Sequence, residues 1–130
     1  MKKPLEIRWH GRGGQGVVTA SRILADATLR EGKYFQSFPE YGPERMGAPV
    51  KAFNRISSQP LRMHCGVTNP EIVVVIDPTL LGLAEILEGL DEKGTIVVNF
   101  EGSPQELREM LGFKGGRVVT VDASQISRDI

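Results

Sequence analysis

The chain predicts an α/β fold, three layers built around a mainly parallel sheet with some antiparallel strands, and three observations carry that prediction. Glu71-Ile72-Val73-Val74-Val75-Ile76-Asp77 is an almost uninterrupted β-branched run, the composition of a parallel strand covered on both faces. A short β-favouring segment at residues 5–10 feeds directly into Gly11-Arg12-Gly13-Gly14-Gln15-Gly16 and then into a helical pattern. Later strands alternate with helical segments, and such connections require right-handed crossovers between parallel strands. A strand, glycine turn and helix in that order give the fold a Rossmann-like opening.

Taken in order, residues 5–10 place Ile7 and Trp9 on one strand face. From Val17 to Arg30 the apolar residues Val17, Val18, Ile23, Leu24, Ala27 and Leu29 recur at roughly helical spacing, with Gly32 just past the end. Residues 33–38 and 49–56 read as strands, and residues 59–64 as a weak further one after the turn-like Ser57-Ser58. This stretch supplies the antiparallel pieces. After the 71–77 strand, Thr79 is expected to cap a helix over residues 80–90, followed by a buried strand at 94–100. Ser103-Pro104-Gln105-Glu106 combines an N-cap serine, a proline at the first helical position and a capping-box glutamate, so a helix runs to Leu111 and Gly112 closes it. Residues 117–121 make the last strand, and Asp122-Ala123-Ser124 opens a final helix.

At 130 residues the chain has the length of one domain. Its 16 Lys plus Arg balance 16 Asp plus Glu, which leaves no global field to draw it onto nucleic acid or an anionic membrane. No apolar stretch approaches the roughly 18 residues that cross a bilayer, and Met1-Lys2-Lys3-Pro4 lacks the features of a signal peptide, so a cytoplasmic location is expected. Cys65 is the single cysteine, and without a Cys-x-x-Cys pair the chain has no set of its own for an iron–sulfur cluster.

Gly11, Gly13 and Gly16 formally satisfy G-x-G-x-x-G, in which glycines let the backbone approach a phosphate at a helix N-terminus. A dinucleotide site also needs an acidic residue at the end of the second strand, and the nearest, Glu40, follows Pro39 in what reads as a loop. The alternatives are a loop shaped for close strand–helix contact, or one that meets another subunit or a phosphate-bearing coenzyme. Between Phe38 and Pro49, three prolines and two glycines restrict a polar segment carrying Glu40, Tyr41, Glu44 and Arg45. That segment is either a solvated loop with loosely paired charges or a preorganised arm that presents them to a partner.

Three segments together, Trp9-His10-Gly11-Arg12-Gly13-Gly14-Gln15-Gly16-Val17, Phe38-Pro39-Glu40-Tyr41-Gly42-Pro43-Glu44-Arg45 with Gly47-Ala48-Pro49, and Asp77-Pro78-Thr79-Leu80-Leu81, resemble the signature segments of the gamma subunit of pyruvate and 2-ketoisovalerate ferredoxin oxidoreductases. Met46 departs from the arginine or threonine often found there. Members of that family continue for several more helical turns, so the final helix and its packing surface are expected to lie outside these 130 residues.

The resemblance implies an accessory gamma subunit, inactive alone, of a complex that decarboxylates pyruvate or a branched-chain 2-oxoacid to acyl-coenzyme A and reduces ferredoxin. It implies alpha, beta and delta subunits as partners and places thiamine diphosphate, magnesium and iron–sulfur clusters on those chains. Gly11, Arg12, Gly13, Gly14, Gln15 and Gly16, with Glu40, Tyr41, Gly42, Pro43, Glu44 and Arg45, would meet other subunits or line a coenzyme A passage. No catalytic or metal-binding residue is expected on this chain. A stand-alone Rossmann-type dinucleotide-binding protein is the competing reading.

The remaining candidates are modest. His10 and His64 lack a third metal ligand at suitable spacing, and Cys65 reads as a small buried hydrophobe. Asp77, at the end of a parallel strand, either faces a cleft or caps the following helix. Trp9 is expected in the core or at a subunit contact, and valine at Gly13 should damage folding if that turn needs positive φ.

Overall fold

The computed structural model describes residues 3–40 and 47–130. Six strands, β1 (Leu5–Arg12), β2 (Tyr34–Glu40), β3 (Pro49–Ser57), β4 (Ile72–Val75), β5 (Thr95–Asn99) and β6 (Arg117–Val121), form one sheet in the order β2-β3-β1-β4-β5-β6. The helices are α1 (Val17–Arg30), α2 (Pro104–Leu111) and α3 (Ala123–Asp129). β1, β4, β5 and β6 run parallel, whereas β3 pairs antiparallel with both β1 and β2. The expected mixture of parallel and antiparallel strands is therefore present.

Strand alternation sorts the side chains onto two faces. Val73, Val75, Ile96 and Val98 point to one face and are fully buried with Leu80, Leu81, Ile86, Leu107 and Phe113. The register places Arg8 opposite Val73 and His10 opposite Val75, so these two polar residues share that face. On the other face Trp9, Asn54 and Ser37 lie beneath α1, which packs on β1, β2 and β3. The Trp9 indole N–H donates to Asn54 Oδ1 at 2.6 Å, and the Asn54 amide donates to Ser21 Oγ of α1 at 2.6 Å. This polar chain satisfies the buried amide and fixes α1 over the antiparallel half of the sheet.

Two elements differ from expectation. Residues 80–90 do not form an α-helix: two 3-10 turns, Pro78–Gly82 and Ala84–Ile86, are separated by extended backbone at Leu83, and Asp77 rather than Thr79 caps the first. Arg8 explains the short second turn, because its guanidinium collects the carbonyls of Glu85, Ile86 and Glu88 at 3.1, 3.0 and 2.6 Å. Carbonyls held by a side chain need not be satisfied by a continuing helix. Residues 59–64 form no strand, since β3 already has a neighbour on each side and Pro60 supplies no N–H for a ladder.

Candidate functional site

The carboxyl ends of β1 and β4 mark a change of direction in the sheet. From β1 the chain crosses by α1 towards β2 on one side, and from β4 it passes through the 3-10 turns to β5 on the other. Loops at such a switch point diverge and leave a crevice at the strand ends. Here the crevice holds the Gly11–Gly16 turn on one wall and Asp77-Pro78-Thr79 on the other.

The two walls are joined by side chains. Arg12 Nε lies 3.2 Å from Asp77 Oδ2 and also donates to Thr79 Oγ1 at 3.2 Å. Gln15 Nε2 donates to Asp77 Oδ2 at 2.8 Å, while Gln15 Oε1 accepts the Arg12 backbone N–H at 2.8 Å. The other Asp77 oxygen accepts the Thr79 N–H and hydroxyl at 2.9 and 2.7 Å. Burial works to raise the Asp77 pKa, but the Thr79 and Gln15 hydrogen bonds and the Arg12 charge together hold it below the usual carboxylate value. Asp77 thus caps the turn that follows, one of the two readings open from sequence, while its second oxygen is taken up by Gln15 and Arg12.

The third segment reaches the same place. Arg12 Nη1 donates to the Gly47 carbonyl at 3.1 Å, and Gly13 N–H donates to the Ala48 carbonyl at 2.8 Å. Gly13 therefore extends the β1–β3 pairing rather than making a left-handed turn. Positive φ falls instead at Gly14 (89°) and Gly16 (84°), and the premise for a strained Gly13 does not hold. Gly11 is demanding for another reason: a Cβ there would collide with the Val17 side chain. Gly16 forms the N-cap of α1 without any side-chain hydrogen bond.

Of the remaining site candidates, Glu40 ends β2 and borders a cavity of about 230 Å3 together with His10, Lys51, Leu80 and Glu85. Tyr41, Gly42, Pro43, Glu44, Arg45 and Met46 lie outside the described residues. β2 is not the neighbour of β1, because β3 lies between them. Glu40 therefore stands two strand spacings, about 10 Å, from the glycine turn, not in the adjacent parallel strand that a dinucleotide ribose site uses. Among the described residues no three His, Cys, Asp or Glu side chains converge on a metal position, and no helix is long and apolar enough to cross a membrane.

Sequence reading missed the polar interior behind this site. Arg8, His10 and Arg55 are 6%, 2% and 1% exposed. Arg55 donates to Glu6 Oε2 at 2.8 Å and to the Gly66 carbonyl at 2.9 Å, and its guanidinium lies over the Phe38 ring. The signal was the alternation of Glu6, Arg8, His10 and Arg12 along β1, which marks a polar face opposite Ile7 and Trp9. Cys65, expected to be buried, is exposed, with its sulfur 3.7 Å from Arg55 Nη2.

A switch-point α/β module whose strand-end loops lock to one another through Arg12 and Asp77 is the class of protein that this fold and site define. The chain belongs to the pyruvate ferredoxin/flavodoxin oxidoreductase family, whose model matches residues 6–130. It is 49% identical to the common gamma subunit of the pyruvate/ketoisovalerate oxidoreductases of Thermococcus kodakarensis, over 97% of this chain and 68% of that one. It is 52% identical to the pyruvate synthase subunit PorC of Thermotoga maritima, over 97% of this chain and 65% of that one. The crystal structure of the pyruvate oxidoreductase subunit PORC from Thermotoga maritima superposes with a TM-score of 0.85 at 49% identity, covering 98% of this chain and 67% of that chain. A 2-oxoglutarate:ferredoxin oxidoreductase from Magnetococcus marinus, at 20% identity and a TM-score of 0.75, shares the fold. The gamma-subunit resemblance drawn from the three segments is borne out, and this chain spans about two thirds of the relatives' length.

Proposed function

We propose that the chain is the accessory gamma component of a 2-oxoacid:ferredoxin oxidoreductase, and that the crevice between β1 and β4 is the surface it offers to the rest of the complex. In this reading alpha, beta and delta subunits hold thiamine diphosphate, magnesium and the iron–sulfur clusters, and ferredoxin takes the electrons. Pyruvate or a branched-chain 2-oxoacid is the substrate class, coenzyme A the acyl acceptor, and the cytoplasm the site of the reaction.

The observation that carries the proposal is the convergence of three segments, far apart in sequence, on Arg12. Asp77, Thr79 and the Gly47 carbonyl each hold its guanidinium. A guanidinium fixed in this way cannot follow a mobile ligand, but it can keep a loop in one shape for a partner surface or for a coenzyme passing along it. The glycine turn presents backbone in the same place. Glu40, Glu44 and Arg45 would complete the contact from the neighbouring segment.

Co-expression with the neighbouring subunit genes tests the proposal. The expected result is a thiamine-containing complex that retains this chain and reduces ferredoxin with a 2-oxoacid and coenzyme A. Arg45→Ala should lower the activity of that complex while leaving the melting temperature of the chain unchanged. Failure of the chain to enter such a complex would overturn the proposal. Tight binding of a nicotinamide or flavin dinucleotide to the chain alone would favour the stand-alone reading, against which the position of β2 argues.

A further inference from the structure

The antiparallel half of the sheet builds a second concavity, on the face opposite α1. The register sets His10 of β1 beside Lys51 of β3, and Lys51 beside Glu40 of β2, so three titratable residues form one row across three strands. With Val50, Leu80, Leu83 and Glu85 they line the cavity of about 230 Å3. His10 is 2% exposed, and its Nε2 accepts from Arg8 at 2.7 Å, which leaves the imidazole hydrogen on Nδ1. No described residue accepts that N–H, yet among the described residues no buried side-chain nitrogen or oxygen lacks a partner. Nδ1 therefore borders the open space of the cavity. Burial first, then the Arg8 and Lys51 charges, keep the ring neutral down to about pH 4, so the donor it offers there carries no charge. At the mouth Lys51 Nζ lies 2.8 Å from Glu85 Oε2, with the two side chains 28% and 36% exposed.

We propose that this cavity binds a short-chain carboxylate: the ligand's carboxylate takes the place of Glu85 on Lys51 and accepts the His10 Nδ1 hydrogen, and its alkyl body lies against Val50, Leu80 and Leu83. Glu85 argues for that chemistry, because the fold already sets a carboxylate on Lys51 at the cavity mouth in a charge-assisted hydrogen bond. It belongs to a partly exposed side chain, which can turn to water when a ligand displaces it. The Lys51 ammonium is a compact charge with three donors on a flexible stem, so it can follow an incoming ligand as the fixed Arg12 guanidinium cannot. A neutral ligand in the same place would leave that part-buried ammonium without a counter-charge. Arg8, behind His10, offsets the Glu40 charge at the rim. The volume falls below the roughly 300 Å3 at which sites for drug-sized ligands begin, so the occupant is a small acid. A plain short-chain acid and a 2-oxoacid share this carboxylate and alkyl body. The proposal stands independently of the crevice and of the enzymatic reading.

The test titrates the purified chain with isobutyrate, 2-oxoisovalerate and, as a neutral control, isobutyramide, and follows the backbone amides and the His10 imidazole N–H by NMR. Saturable shifts at His10, Lys51 and Leu83 are expected with at least one of the acids, and the tighter of the two tells a plain acid from a 2-oxoacid as the source. Isobutyramide should bind at least tenfold more weakly. Lys51→Met should weaken binding at least tenfold, whereas Glu85→Gln should strengthen it at least threefold by removing the internal competitor, a gain that a merely structural ion pair does not predict. Circular dichroism checks that the variants fold; if Lys51→Met does not, Leu83→Trp, which fills the cavity from a position already 42% exposed, should abolish the shifts. Absence of saturable shifts with both acids, equal binding of the amide, or unchanged or weaker binding to Glu85→Gln would overturn the proposal.

Discussion

Arg8 donates its Nε hydrogen to Nε2 of His10 at 2.7 Å, two residues along the same strand and deep beneath the 3-10 turns. An accepting Nε2 means that the neutral imidazole carries its proton on Nδ1. Burial first, and then the nearby Arg8 and Lys51 charges, push the His10 pKa down to about 4, with Glu85 opposing. Burial likewise lowers the Arg8 pKa, although Glu88 and Glu85 act in the other direction. The pair is an arginine whose guanidinium is bonded to carbonyls and a histidine held neutral first by burial and then by the neighbouring arginine.

Acid should destabilise the chain through His10. Below its ordinary pKa of about 6.5 the unfolded chain takes up a proton that the folded chain refuses until about pH 4. Stability attributable to this group is therefore complete above about 6.5 and is lost as pH falls towards 4, by at most about 3 kcal/mol. Urea unfolding between these pH values should show the slope, and His10→Gln should remove most of it. Glu85, lowered mainly by its Lys51 hydrogen bond and ion pair, adds a further loss only as pH falls through the carboxylate range.

Replacing Arg8 should be costly even though it touches no ligand. Arg8→Met leaves three carbonyls, at Glu85, Ile86 and Glu88, without their donor and His10 without its partner. A loss of about 3 kcal/mol is expected from chemical denaturation. A loss below about 1 kcal/mol would mean that the 3-10 turns hold their shape unaided.

Asp77→Asn should loosen the crevice without unfolding the sheet. The amide can still accept from Thr79, but its N–H2 then faces the donors of Gln15 and Arg12. With Arg12 one-third exposed, the expected cost is modest, about 1–2 kcal/mol. Amide exchange at Arg12 and Thr79 should accelerate at least tenfold, while β5 amides remain protected.

The two ends of the glycine turn should fail for different reasons. Gly16 has open space around its Cα but a φ of 84°, so Gly16→Ala should cost about 1 kcal/mol and Gly16→Asn less, because asparagine tolerates that region. Gly11 has no such φ, yet Gly11→Ala drives a methyl group into Val17 and should cost about 1–3 kcal/mol. Thermal melts of the three variants separate backbone strain from overpacking.

Local chemistry by itself determined much of this protein. The β-branched runs in β4 and β5, the Ser103–Glu106 cap of α2 and the glycine turn into α1 each follow from short-range preferences, and these elements form where the residues predict them. The three signature segments were also legible, because side-chain identity at fixed spacing is a property of the chain alone. Their convergence was not. That Arg12 meets Asp77 and Thr79, that β3 separates β2 from β1, and that residues 78–86 wind as two 3-10 turns were decided only by the tertiary structure. The physical reason is that a buried guanidinium such as Arg8 must find oxygen acceptors wherever the fold supplies them. Meeting that demand across 77 to 80 residues of sequence overrides the local helical preference of the segment that answers it.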